Sequence, residues 1–178
     1  GWKMLKKRII PMLLYNKGRL VKSKKFTNFR DVGHPLTTAK IYCDQDADEL
    51  LILNIDSDEE CSQKFLDCIK EIGETCNVPL TVGGGISNFN YAESLFSEGA
   101  DKVLMGTSLF RFPTVAKKIT QKYGSQALVA CADFIKTSDR GYLIRRRRPQ
   151  ELFATMDEFL STLYDSCAGE LLLQSVDN

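Results

Sequence analysis

Proline is scarce in these 178 residues, with 5 in all, and there is one tryptophan and one histidine. Glycine, at 12, is too sparse and too irregular for a collagen-like or low-complexity chain. With His34 as the single imidazole and no C-x-x-C pair among the cysteines, no metal centre is expected. No apolar run approaches the ~20 residues that a membrane helix requires, so no membrane association is expected. Charge of one sign is also missing: Lys plus Arg is 24, Asp plus Glu is 23, and the net charge is +1. A chain that balanced has no general attraction for nucleic acid, and any basic function has to be local.

What is present fits one globular domain of ordinary size: 43% hydrophobic residues and 26% charged. Six cysteines, Cys43, Cys61, Cys68, Cys76, Cys131 and Cys167, could staple a secreted protein. Their spacing favours reduced, mostly buried thiols in a cytoplasmic protein. Lys6, Lys7 and Arg8 before Ile9–Leu14 imitate a signal peptide. Asn16-Lys17-Gly18-Arg19 follows without a small-residue cleavage site, so a leader is not expected. Gly1–Lys3 precede Met4 and read as a remnant outside a single domain spanning 4–178.

Short apolar runs alternate with helix-period segments. Strands are expected near 8–14, 49–55, 79–83, 102–106, 127–133 and 170–176. Helices are expected near 35–46, 59–76, 88–98, 112–123 and 151–166. Strand–helix–strand repetition means parallel strands joined by right-handed crossovers, and continuous apolar strands mean a sheet covered by helices. A repeat sharpens this: Glu49-Leu50-Leu51-Ile52-Leu53-Asn54-Ile55-Asp56 returns as Glu170-Leu171-Leu172-Leu173-Gln174-Ser175-Val176-Asp177. Ala47-Asp48-Glu49, Ala100-Asp101-Lys102 and Ala168-Gly169-Glu170 mark matching helix-to-strand turns. A repeat of four βα units is half of an eight-stranded barrel. The expected fold is α/β, of (βα)8 TIM-barrel type, stopping after its sixth strand.

Arg8-Ile9-Ile10, Gly18–Lys22, Asn28-Phe29-Arg30-Asp31-Val32-Gly33, Val82-Gly83-Gly84-Gly85-Ile86, Gly99–Val103 and Ala168-Gly169-Glu170 occur in order. Together they resemble the cyclase subunit of imidazole glycerol phosphate synthase, over essentially the whole chain from Met4 to Asn178. The resemblance implies a synthase of the lyase class in histidine biosynthesis. It would use no cofactor, accept ammonia from a glutaminase subunit in a heterodimer, and act on a phosphorylated small molecule. Two other readings stand beside it: a paralogue passing ammonia to a surface-polysaccharide nucleotide sugar, and a non-catalytic remnant that binds a partner.

Glycines after a strand and before a helix let backbone amides approach a phosphate, although a tight turn needs glycine equally. Gly83, Gly84 and Gly85 after the third strand, with Gly106 and Thr107 after the fourth, are the phosphate-binding residues that the resemblance implies. Lys22, in the loop after the first strand, and Asp177, at the end of the sixth, would complete substrate binding. Asp133, ending the fifth strand at the face where barrel chemistry is built, is the implied catalytic acid–base group. The resemblance also implies an aspartate at the end of the first strand, where this sequence has Leu14. Leucine cannot move a proton. Arg8, Glu49, Lys102 and Glu170, each expected at the start of a strand, match the charged set that gates an ammonia channel in the resembled family, and Asp101 matches a position facing the glutaminase. Arg145–Arg148, in the loop after the fifth strand, read as an anion-binding run.

Overall fold

In a computed structural model, residues 7–24, 28–56, 61–139, 141–146 and 152–175 are described. The chain divides into two compact units, residues 1–83 with 95–101, and residues 84–94 with 102–178.

In the first unit the strand order is β3-β2-β1-β4-β5, with β1 Met12–Asn16, β2 Arg19–Lys24, β3 Asn28–Gly33, β4 Leu50–Asn54 and β5 Leu80–Gly83. β1, β4 and β5 are parallel, as the βα alternation requires. Helix α1, Pro35–Asp44, and helix α2, Cys61–Thr75, supply the crossovers and pack on each other. Phe65, Ile69 and Ile72 fall at helical spacing on one face of α2 and are fully buried. Each contributes roughly 1.5–3 kcal/mol by leaving water. On β1, Leu13 and Tyr15 face the helices, and the Tyr15 ring meets Phe65 with centroids 5.0 Å apart.

The second unit holds β6 Lys102–Met105, α4 Thr107–Arg111, α5 Pro113–Tyr123, β7 Leu128–Thr137, β8 Gly141–Arg146, β9 Leu152–Thr155, α6 Met156–Ser166 and β10 Glu170–Ser175. Helix α3, Phe89–Ser97, begins in this unit and ends in the first. β7 is the pivot of the second unit's sheet. β6 pairs parallel with its first residues, β8 antiparallel with its last, and β10 parallel along Val129–Phe134. Helices α5 and α6 pack together, α6 starting from a capping box in which Thr155 and Glu158 satisfy each other's amides.

The expected parallel strands and their crossover helices are all found, in the alternation of a (βα)8-type fold. Four strands were not expected. β2 and β3 occupy the region read as a loop after the first strand, so the backbone of Lys22 lies in β2 rather than in a loop. The turn Lys17-Gly18 has φ +49° and +83°, the two left-handed positions of a type I′ hairpin. β8 and β9 likewise replace a loop, and the helix expected from 151 starts at Met156 because Leu152–Thr155 is β9. Arg145 and Arg146 therefore belong to a strand, while Arg147 and Arg148 lie outside the described residues. The thiols are less buried than expected: Cys76 is buried, Cys43, Cys68 and Cys131 are half-buried, and Cys167 is exposed.

Candidate active site

Asp133 was expected to end its strand. Instead β7 runs on to Thr137, and Asp133 sits within it. Its neighbours Ala132 and Phe134 lie on the side where Phe134 meets the Tyr142 ring, and α6 packs on β8 and β9. Side chains alternate along a strand, so Asp133 points to the opposite face. Residues in direct register share a face. Arg145 of β8 is in register with Asp133 on one edge, and Gln174 of β10 on the other. The second unit thus presents a polar row, Gln174–Asp133–Arg145, across three adjacent strands. A carboxylate between an amide and a guanidinium can bind a polar substrate and exchange a proton with it. Sequence reasoning missed Gln174, which the repeat aligns with Leu53, and antiparallel pairing of β8 is what brings Arg145 in, a strand that no sequence periodicity announced.

The glycine-rich segment leaves β5 at the buried Gly83 and turns through Gly84 and Gly85, at φ +102° and +68°. It leads to α3, whose first turn is capped by Asn88 Oδ1 accepting the Tyr91 amide at 2.8 Å. Gly106 is the N-cap of α4 and Thr107 its first residue, so these two form a helix start rather than a loop. Both segments follow the C-terminal ends of parallel strands, where backbone amides are available to anions. The side chain of Lys22 and the whole of Asp177 lie outside the described residues.

At the other strand ends the four charged residues expected to form a gate fall as two ion pairs, one in each unit. Arg8 Nη1 donates to Glu49 Oε1 at 3.1 Å, with Glu49 nearly buried. Lys102 pairs with Glu170, and both are only partly exposed. Lys102 and Glu170 do start their strands, whereas Arg8 precedes β1 by a short extended stretch and Glu49 stands just before β4. Pairing limits the desolvation cost of each charge.

The repeated turns have a structural task. Asp48 Oδ2 accepts the Ile9 amide at 2.8 Å while the Asp48 amide donates to the Ile9 carbonyl at 3.0 Å. Asp101 does the same with Leu80, at 2.7 and 2.8 Å. In the third turn the Gly169 amide donates to the carbonyls of Ser125 and Leu128, and a Cβ there would stand 2.5 Å from the Ser125 oxygen. These aspartates clamp one strand start to the next, a role the repeat pattern carried without revealing.

Leu14 lies on the face of β1 opposite Tyr15, half-buried, in register with Leu53 of β4 and Val21 of β2. Asp56 Oδ2 accepts the Lys17 amide at 3.2 Å, and Asn54 Oδ1 accepts the Asp56 amide at 3.0 Å, so both carboxyl-end groups help order the β1–β2 turn. Among the described residues no cluster of metal-binding side chains forms, and no helix is long and apolar enough to cross a membrane.

The sequence pattern of the family described as "Histidine biosynthesis protein" matches residues 8–178. The chain is 38% identical over 174 residues to the imidazole glycerol phosphate synthase subunit HisF of Exiguobacterium sibiricum, covering 98% of this chain and 70% of that protein. The Flavobacterium johnsoniae subunit of the same name is 36% identical over 177 residues, covering 98% of this chain and 70% of that protein. The Chlorobium limicola subunit is 38% identical over 177 residues, covering 98% of this chain and 69% of that protein. Identity at this level across nearly all the described elements means that the chain belongs to the histidine biosynthesis protein family and is a HisF-like member of it.

Proposed function

We propose that this chain acts as the cyclase-type subunit of imidazole glycerol phosphate synthase, joining ammonia to a phosphorylated acceptor. The observation that carries the reading is the position of Asp133, in the middle of a polar row across β10, β7 and β8, in a chain 38% identical to a HisF subunit. Asp133 serves as the general acid–base group, the segments Gly83–Gly85 and Gly106–Thr107 hold phosphate, and Lys22 and Asp177 complete the binding of the acceptor. A glutaminase partner supplies ammonia at the strand starts, where Arg8–Glu49 in one unit and Lys102–Glu170 in the other stand as gate residues. Asp101, exposed beside Lys102, contributes to the partner surface. The reaction proceeds in the cytoplasm.

Leu14 favours slow ring closure, because a second carboxylate is missing from β1. The test supplies ammonium salt and the two-phosphate precursor, and follows imidazole glycerol phosphate. Product formed by the chain and lost in Asp133→Asn supports the reading. If Leu14→Asp restores no turnover and the precursor does not bind, the acceptor is a different molecule, such as a nucleotide sugar.

A further inference from the structure

In the second unit the β7–β8 hairpin brings a guanidinium opposite the proposed acid–base group. The antiparallel register runs without a shift from Thr137↔Gly141 to Asp133↔Arg145. Its closed end is held by Thr137, whose hydroxyl donates to the Gly141 carbonyl at 3.0 Å. Directly opposite residues in such a ladder have Cβ atoms about 4.5–5.5 Å apart, within reach of an arginine side chain. Asp133 and Arg145 are both half-buried. Ile135 and Leu143, the next pair on the same face, are buried, and Lys136 and Tyr142 fall by alternation on the other face. Charges in partly desolvated surroundings are screened less than a pair in open water.

We propose that Arg145 is a positioning residue for Asp133: its guanidinium holds one carboxylate oxygen and leaves the other to exchange a proton with the acceptor. The inference rests on the proposed function, since it takes Asp133 as the acid–base group. An ionised carboxylate only accepts hydrogen bonds and a guanidinium only donates them, so the two are complementary across the ladder. Gripped from the β8 side, the Asp133 side chain loses the rotation that would turn its second oxygen away from the acceptor. Gln174 stands in register on the β10 side and bounds the other flank. The surroundings also decide against a different task for Arg145. A phosphate drawn to this guanidinium would meet the Asp133 carboxylate directly across the ladder, and like charges at that distance repel. Arg145 therefore serves Asp133 and not a substrate anion, unlike the anion-binding role expected for the whole run Arg145–Arg148.

The experiment has two arms, both on the whole chain. In the first, Asp133→Asn, Arg145→Gln and the double variant are unfolded in urea. Coupled residues give a double variant whose midpoint shifts by less than the sum of the two single shifts, and additive shifts would overturn the pairing. In the second, imidazole glycerol phosphate formation from ammonium salt and the two-phosphate precursor is followed in the parent chain and in Leu14→Asp. Arg145→Gln should lower kcat by about 10–100-fold with KM nearly unchanged. Arg145→Lys, which keeps the charge without the planar fork, should recover part of that loss. Added to Asp133→Asn, Arg145→Gln should cost nothing more, because the group it positions is already gone. A KM that rises while kcat holds would assign Arg145 to substrate binding and overturn the proposal. Absence of product from both the parent chain and Leu14→Asp would overturn the proposed function, and the urea arm then decides the pairing by itself.

Discussion

Under the proposed function, the chemistry turns on Leu14 and Asp133. A well-placed general acid–base group is worth about 10²–10⁴-fold in rate. Ring closure by this chain should be slow by about that factor, and Leu14→Asp should raise it; steady-state formation of imidazole glycerol phosphate with ammonium salt measures both. Asp133→Asn, which preserves shape and hydrogen bonding, should remove what activity remains. Asp101 poses a different question, because its carboxylate already accepts the Leu80 amide. Asp101→Ala leaves that amide without its acceptor and should cost about 1–3 kcal/mol in urea unfolding. Asp101→Asn keeps an acceptor oxygen and should unfold nearly like the parent chain. If Asp101→Asn nevertheless weakens association with a glutaminase, in a titration followed by fluorescence or calorimetry, the charge itself serves the partner surface.

Helix α2 shows how an element can be legible while its titration is not. A helix was expected near 59–76; Phe65, Ile69 and Ile72 stand at helical spacing on its buried face, and Cys68 falls on its flank. Burial, helped by the nearby Glu71, pushes the Cys68 thiol up to about 12, and Cys76 behind it to a similar level. The folded state thus keeps protons that the unfolded chain releases from about pH 9. Their contribution is complete below that pH and is lost as the pH rises toward 12. Urea midpoints measured between pH 8 and 11 should fall, and the fall should be shallower in Cys68→Ala. Strand β8 is the opposite case. Four consecutive arginines, Arg145–Arg148, carry no alternation, so the segment read as a loop until its antiparallel register with β7 placed Arg145 opposite Asp133. The β1–β2 hairpin escaped for a related reason: Lys17 occupies a left-handed position normally marked by Asn or Gly.

At the scale of the whole molecule, the second unit leaves an apolar strand edge exposed. Among the described residues β10 pairs with β7 alone, and Leu171, Leu172 and Leu173 are 41%, 36% and 49% exposed. Leu160 and Tyr164 of α6 are exposed as well, and Tyr164 lines a second cavity with Leu163 and Cys167. An uncharged apolar strand edge is a template for pairing with another chain. Light scattering at micromolar concentration should therefore give a mass above the 20.1 kDa of one chain, and Leu172→Lys, which places a charge on the edge, should lower it toward that value. A parent chain that stays at 20.1 kDa would show that this edge is covered in solution.

The order of parallel strands and crossover helices was determined by the sequence alone, because each depends on local periodicity: continuous apolar runs in β4, β5 and β6, and helical spacing in α2 and α5. The glycine-rich segment after β5 and the carboxylate Asp133 were singled out by the resemblance to a known family, because residue type and place in a βα unit fit a tight turn or a structural carboxylate equally. Tertiary structure alone decided which side chains meet. Arg145 reached Asp133 through cross-strand register, and Asp48 and Asp101 turned from surface charges into clamps on Ile9 and Leu80. Each of these joins residues far apart in the chain. Their proximity is set by register and by close packing of faces, and neither leaves a local pattern to read.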